Sequence, residues 1–96
     1  MLERDFQKDL KKELKKRFPG CIIYKTNPKQ LQGSPDLIIL YKDKWASLEV
    51  KAYAKARHRP NQDLRVERMN EMSFASFIYP ENKEEVLSGM ERLFTS

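Results

Sequence analysis

The chain has 96 residues, and its 19 lysines and arginines exceed its 14 acidic residues, which gives a net charge of +5. This length supports one small domain, residues 1–96, and excludes a second core of similar size. The basic balance favours a polyanionic partner. The single cysteine, Cys21, lies in an apolar run and is predicted to be a small buried residue, which excludes a disulfide framework or a cysteine-based zinc site within the chain.

The N-terminal segment and the lengths of the apolar runs indicate where in the cell the protein is located. The chain is charged from Glu3 onward, and its longest apolar run is far shorter than a membrane-spanning helix. We therefore expect no signal peptide, no membrane association and an intracellular location, cytoplasmic or nucleoid-associated.

The first predicted element is an amphipathic helix over residues 2 to 17, ended by Pro19-Gly20. Its apolar residues recur every four positions: Leu2, Phe6, Leu10 and Leu14. Glu3 falls inside this apolar stripe, and so does Glu13, which is the second candidate for a ligand from this helix. An acid in the first turn is favoured by the helix dipole, and a ligand role explains Glu3 equally well.

The middle of the chain predicts three strands. Cys21 to Thr26 is a short strand that leads into a loop ending at Gly33. Two apolar runs, Leu37 to Tyr41 and Trp45 to Val50, flank a polar break, which is the pattern of a β-hairpin. Because the first run is apolar on both faces, we expect it to be central in the sheet.

The remaining elements complete an α/β fold. A helix begins at Pro60-Asn61-Gln62, with Asn61 as its cap. Its predicted inward residues are Leu64, Met69 and Met72. A strand from Phe74 to Tyr79 and a helix from Lys83 to Phe94 follow. The predicted order is α-β-β-β-α-β-α, with a mixed sheet flanked by helices.

The hairpin register places two acids together. If the turn is centred between Lys42 and Asp43, Asp36 faces Glu49, and Lys51 shares a face with Glu49. Opposed residues have Cβ atoms about 4.5 to 5.5 Å apart, where like charges are destabilising unless they are compensated. A divalent cation would compensate them, whereas a turn shifted by half a step would separate them.

An acid followed two positions later by lysine is weak evidence alone, because the chain contains four such pairs. Three of the four lie in helical or loop patterns. Only Glu49-Val50-Lys51 ends an apolar strand and follows Pro35-Asp36 by one hairpin length. The alternative is a half-buried sheet whose charged residues simply face solvent.

The segment after the hairpin is basic. Residues 51–59 contain no acid and carry Lys55, Arg57, His58 and Arg59 in addition to the lysine of the motif. Phosphate binding is the functional interpretation, and a solvated loop is the alternative. His58 is interpreted as part of this basic surface rather than as a general base. Two further predicted DNA contacts are Lys25 and Asn27.

With Pro35-Asp36 and Glu49-Val50-Lys51 as its signature, the chain resembles the PD-(D/E)xK nuclease superfamily, and within it the VRR-NUC nucleases. Further matching features are Glu3 ahead of Phe6-Gln7, the run Gly33-Ser34-Pro35-Asp36-Leu37, and Gln62 opening the helix after the signature. The resemblance covers nearly the whole chain and implies a restriction-endonuclease-like core.

The resemblance also implies roles for individual residues. Glu3, Asp36, Glu49 and the carbonyl of Val50 would hold Mg²⁺ or Mn²⁺. Asp36, Glu49 and Lys51 would be catalytic, with Lys51 holding the attacking water. Gln62 would be an accessory site residue.

The predicted function is a metal-dependent DNA endonuclease selective for four-way junctions or other branched DNA, acting as a homodimer. The two active sites of such a homodimer, related by a two-fold axis, would suit a symmetric four-way junction. One alternative is a nucleic-acid-binding module of the same fold without catalysis, which would be marked by a broken Asp, Glu and Lys set. Another is a small protein-interaction domain.

Overall fold

The secondary structure follows the predicted order. The computed structural model describes residues 2–27 and 34–96, so that Gly33 and most of the predicted loop lie outside the described residues. The elements are α1 (Glu3–Arg17), β1 (Ile22–Lys25), β2 (Leu37–Tyr41), β3 (Lys44–Val50), α2 (Gln62–Met72), β4 (Phe74–Ile78) and α3 (Lys83–Phe94). The α/β class and the element order are confirmed.

The four strands form one mixed sheet in the order β1-β2-β3-β4. The β1–β2 and β2–β3 pairs are antiparallel, and β3 and β4 are parallel. The central position predicted for β2 is confirmed. The predicted hairpin register is also confirmed, since Ile38 pairs with Ser47 and Leu40 with Trp45. At the turn, Lys42 adopts a left-handed conformation with φ of 58°.

One face of the sheet carries the hydrophobic core. Alternate β3 side chains, Ala46, Leu48 and Val50, are buried among apolar residues of α1 and α3. The helical contribution to this core is Phe6, Leu10, Leu14, Val86, Leu87, Met90 and Phe94. Cys21, predicted to be buried, is half-buried against this core, and its burial raises the pKa of its thiol.

Ion pairs link α1 to α3 on the outer side of this layer. Lys83 Nζ lies 2.8 Å from a Glu13 carboxylate oxygen, and Arg17 lies 2.8 Å from Glu84. Glu13, one of the two candidate acids of the first helix, therefore has a cationic partner. Among residues 2–27 and 34–96, no helix combines the length and apolarity needed to cross a membrane.

The opposite face of the sheet is covered by α2 over β3 and β4. Ser47 Oγ of β3 lies 3.8 Å from Met69 Sδ, and the Ala75 amide of β4 donates to Asn70 Oδ1 at 3.0 Å. The prediction that Leu64 and Met72 point inward is wrong, because they are 50% and 75% exposed. Both residues lie outside the stripe of α2 that contacts the sheet.

The start of α2 also differs from the prediction. Asn61 makes no side-chain capping hydrogen bond and adopts φ of 70°, a left-handed conformation that asparagine tolerates better than most residues. The amide of Gln62 instead donates to the Arg59 carbonyl at 3.2 Å. The entry into α2 is therefore stabilised by the backbone of the preceding basic segment.

Candidate active site

Two carboxyl groups meet where the hairpin strands end. Asp36 directly precedes β2 and Glu49 is the penultimate residue of β3, so the observed register continues to a pair between them. Their side chains are hydrogen-bonded to each other. The Val50 amide also donates to Asp36 Oδ2 at 2.8 Å. The structure thus brings the two predicted acids together on the face of the sheet that carries α2.

The environment of Glu49 favours its neutral form. Its side chain is only 4% exposed. Burial, followed by the hydrogen bond and negative charge of Asp36, raises the pKa of Glu49 to about 9, although Lys51 and Arg59 act in the opposite direction. Near neutral pH, Glu49 therefore keeps its proton and donates it towards Asp36.

Lys51 lies buried beside this pair. Its backbone amide donates to the Ile78 carbonyl of β4 at 2.9 Å, which fixes the residue at the end of the sheet. Its Nζ donates to the Arg57 carbonyl at 3.1 Å and to Gln62 Oε1 at 3.0 Å. Charged side chains are rarely buried without such partners. The ammonium group is thus held by the basic segment and by the first residue of α2.

Gln62 connects the lysine to the basic segment. The same buried Oε1 atom that accepts from Lys51 also accepts from the Arg59 amide at 2.7 Å. Gln62 was expected near the site on resemblance alone, and the structure gives it two defined contacts. These contacts require the path of residues 52–61, which the sequence pattern does not specify.

His58 fixes the basic segment against the sheet. Its ring stacks on Phe77 with centroids 4.0 Å apart and planes inclined by 15°. Its Nδ1 lies 2.8 Å from Asp63 Oδ1 of α2. Phe77 is the β4 partner of Glu49, so His58 lies next to the carboxyl pair. Sequence reasoning missed this role, because no local pattern relates residue 58 to residue 77.

No protein-family model, curated protein or solved structure matches this chain. The interpretation of the site therefore depends on its own residues and their contacts.

The structure does not add Glu3 to the carboxyl pair. Glu3 is exposed in the first turn of α1. Within the described parts of the chain, no three His, Cys, Asp or Glu side chains form a group that could hold a metal ion. The acids brought together at the site are thus Asp36 and Glu49, and the role of Glu3 stays a prediction from the resemblance and from its position in the stripe.

The predicted DNA contacts are on the surface. Lys25, Asn27, Lys55, Arg57 and Arg59 are all exposed. Arg59 is also close enough to Glu49 to lower the pKa of its carboxyl group. Exposed cations therefore lie beside the carboxyl pair and the buried lysine, an arrangement that attracts anions toward the site.

The site combines oxygen donors with a buried ammonium group. Asp36 and Glu49 supply carboxyl oxygens. The N–H and C=O of one strand residue point to the same side of the strand, so the Val50 carbonyl is directed to the side on which its amide meets Asp36. Carboxylate and carbonyl oxygens are the ligands that hard divalent cations take. The donor set fits such a cation in place of the Glu49 proton.

Proposed function

We propose that this protein is a Mg²⁺- or Mn²⁺-dependent DNA endonuclease that hydrolyses phosphodiester bonds, built on a restriction-endonuclease-like core. The observation that carries the proposal is the contact between half-buried Asp36 and buried Glu49, with buried Lys51 held beside them at the ends of adjacent strands. A buried acid in contact with a second acid is costly unless a proton or a cation lies between them.

The proposed cation ligands are Asp36, Glu49 and the carbonyl of Val50, with Glu3 retained as a further predicted ligand. A bound Mg²⁺ or Mn²⁺ would acidify a coordinated water and neutralise charge that grows on the phosphate. Asp36 and Glu49 must both be ionised to act as anionic ligands. A cation held by these ligands would therefore take the place of the Glu49 proton.

Lys51 is proposed to orient the attacking water and to stabilise negative charge on the phosphate. Its two acceptors, the Arg57 carbonyl and Gln62 Oε1, hold the ammonium group beside the carboxyl pair. The exposed cations of residues 55–59 would contact the DNA backbone, which makes binding sensitive to salt.

Selectivity for four-way junctions or other branched DNA, and action as a homodimer, are part of the same proposal. Their support is the resemblance and the small size of the chain, together with the suitability of a two-fold dimer for a symmetric junction. The rival function is a nucleic-acid-binding module of the same fold that does not cut. The intact Asp, Glu and Lys set favours the enzyme.

The test uses purified protein with labelled four-way junction, flap and linear duplex DNA, in Mg²⁺, Mn²⁺ or EDTA. Asp36→Asn and Lys51→Ala should each lose about 100-fold or more in cleavage rate, because each removes a charge next to the reacting phosphate. Lys12→Ala on α1 is the matched control, since it removes one exposed lysine on the other side of the sheet.

Equal cleavage by wild type, Asp36→Asn and Lys51→Ala would overturn the site. DNA binding with no cleavage under any metal condition would instead support the non-catalytic module.

A further inference from the structure

A groove runs along the exposed flank of α2, and we call it the α2 trough. Its volume is about 520 Å³, and its lining residues are Asn61, Leu64, Arg65, Arg68, Met69 and Met72. Asn70 contacts β4, whereas Met69, which lines the trough, contacts β3. The trough therefore lies on the side of α2 that faces away from β4, toward β2 and β1.

The neighbouring sheet surface is apolar and exposed. On β1, Ile22 and Tyr24 are both more than half exposed. They pair with Leu40 and Ile38 of β2, and Ile38 is two residues from Asp36. Side chains two apart on a strand share a face. This uncovered surface thus lies on the same face of the sheet as the carboxyl pair.

The α2 trough begins at Asn61, the residue before the Gln62 side chain that contacts Lys51. The first residue of α2, Gln62, contacts Lys51, while Ser73, which follows the helix, donates to the Trp45 carbonyl at the other end of β3. The helix therefore runs antiparallel to β3. A ligand lying in the trough with one end at Asn61 would reach the carboxyl pair with that end.

The chemistry of the α2 trough combines cations with apolar surface. Its two charged lining residues are both arginines, Arg65 and Arg68, although α2 also carries Asp63, Glu67 and Glu71 elsewhere. Leu64 and Met72 add exposed apolar surface. Phosphates bind arginine, and unpaired bases stack on aromatic and apolar side chains. A duplex keeps its base faces stacked inside, so it would leave the apolar part of this surface unused.

We propose that the α2 trough binds a single-stranded segment of the DNA substrate. The phosphates contact Arg65 and Arg68, and the bases lie against Leu64, Met72 and the exposed ring of Tyr24. This inference rests on the proposed nuclease function and narrows its branched substrates to those that carry unpaired nucleotides next to the scissile bond, such as flaps, rather than fully paired four-way junctions. A second copy of the chain is the competing occupant of the same surface.

The binding test is done in EDTA, so that it does not depend on cleavage. A fluorescein-labelled oligothymidylate is titrated by anisotropy, and quenching of the single tryptophan, Trp45, provides a second signal. The double variant Arg65→Ala/Arg68→Ala should bind about tenfold more weakly or worse. The control Lys12→Ala/Lys16→Ala removes the same charge from α1, on the opposite face, and should change affinity by less than about threefold.

The base contacts are tested at Tyr24. Tyr24→Ala should weaken oligothymidylate binding by about fivefold or more, and Tyr24→Phe, which keeps the ring, should restore it. The trough would be overturned as a single-strand site if the two double variants lost oligothymidylate affinity equally. It would also be overturned if a blunt duplex of the same length bound as tightly as the oligothymidylate.

Three further outcomes separate this inference from its rivals. A dimer in sedimentation equilibrium that Leu64→Ser/Met72→Ser dissociates would assign the surface to a second copy and overturn the inference. Strand binding in the α2 trough without metal-dependent cleavage of any DNA would support the trough and contradict the nuclease. Cleavage with no strand binding would support the nuclease and contradict the trough.

Discussion

At the residue scale, Asp36 and Glu49 differ in surroundings more than in chemistry. Asp36 is half-buried, accepts a hydrogen bond from the Val50 amide and lies in contact with the Glu49 carboxyl group. Glu49 is buried, and its burial, followed by its contact with Asp36, raises its pKa to about 9. Its position in the fold therefore makes Glu49 an acid that keeps its proton near neutral pH.

This difference makes stability depend on pH. Between about pH 4.5 and pH 9 the folded chain holds a proton on Glu49 that the unfolded chain has released. The free energy of unfolding should therefore fall as pH rises through this range, by up to about 1.4 kcal/mol per pH unit. Glu49→Gln should remove this contribution, which urea denaturation at several pH values between 5 and 9 would measure.

Glu71→Gln, at an exposed position of α2, serves as the control and should keep the slope of the wild type. Parallel pH profiles for wild type and Glu49→Gln would show that Glu49 ionises normally in the folded chain.

At the element scale, the hairpin explains why the carboxyl pair could be predicted from sequence. Asp36 directly precedes β2 and Glu49 lies in β3, two strands that are joined by a short turn, and the alternation of side chains fixes which residues meet. The contacts of Lys51 with Gln62 and Arg57 could not be predicted, because they depend on the path of a segment without regular structure. The outward positions of Leu64 and Met72 were also missed, because the stripe of α2 that meets the sheet depends on where β4 pairs.

The same turn supplies a test of the hairpin geometry. Lys42 adopts φ of 58°, a region that is costly for residues with a Cβ. Lys42→Gly should therefore stabilise the protein by about 0.5 kcal/mol, after allowance for the greater freedom of glycine in the unfolded chain. Chemical denaturation measures the change.

Lys44→Gly is the matched control, because Lys44 is the first residue of β3 and pairs with Tyr41. It should destabilise by about 0.5 to 1 kcal/mol. Destabilisation of similar size by both changes would contradict the turn geometry.

At the scale of the whole molecule, the two faces of the sheet have different roles. The face against α1 and α3 holds the hydrophobic core, and the other face holds the carboxyl pair, Lys51 and the α2 trough. A sheet can thus keep its buried polar groups apart from the core packing that stabilises the fold. Substitutions on the two faces should accordingly separate stability from function.

Two leucines test this division. Leu87 of α3 is fully buried, and Leu87→Ala should destabilise by about 2 to 5 kcal/mol, which is a large part of the stability of a small domain. Leu64→Ala, at the half-exposed position on α2, should change stability by less than about 0.5 kcal/mol. Denaturant midpoints compare the two, and equal costs would contradict the observed orientation of α2.

The hydrogen bond from the Val50 amide to Asp36 makes the two acids of the pair differ in their effect on stability. Natural proteins often trade stability for activity, and removal of a functional group then makes the fold more robust. Glu49 follows this pattern, since its buried carboxyl group opposes folding at high pH. Asp36 does not, because its carboxyl group accepts the hydrogen bond of the Val50 amide at the end of β3. Selection for stability alone would therefore replace Glu49 and retain Asp36.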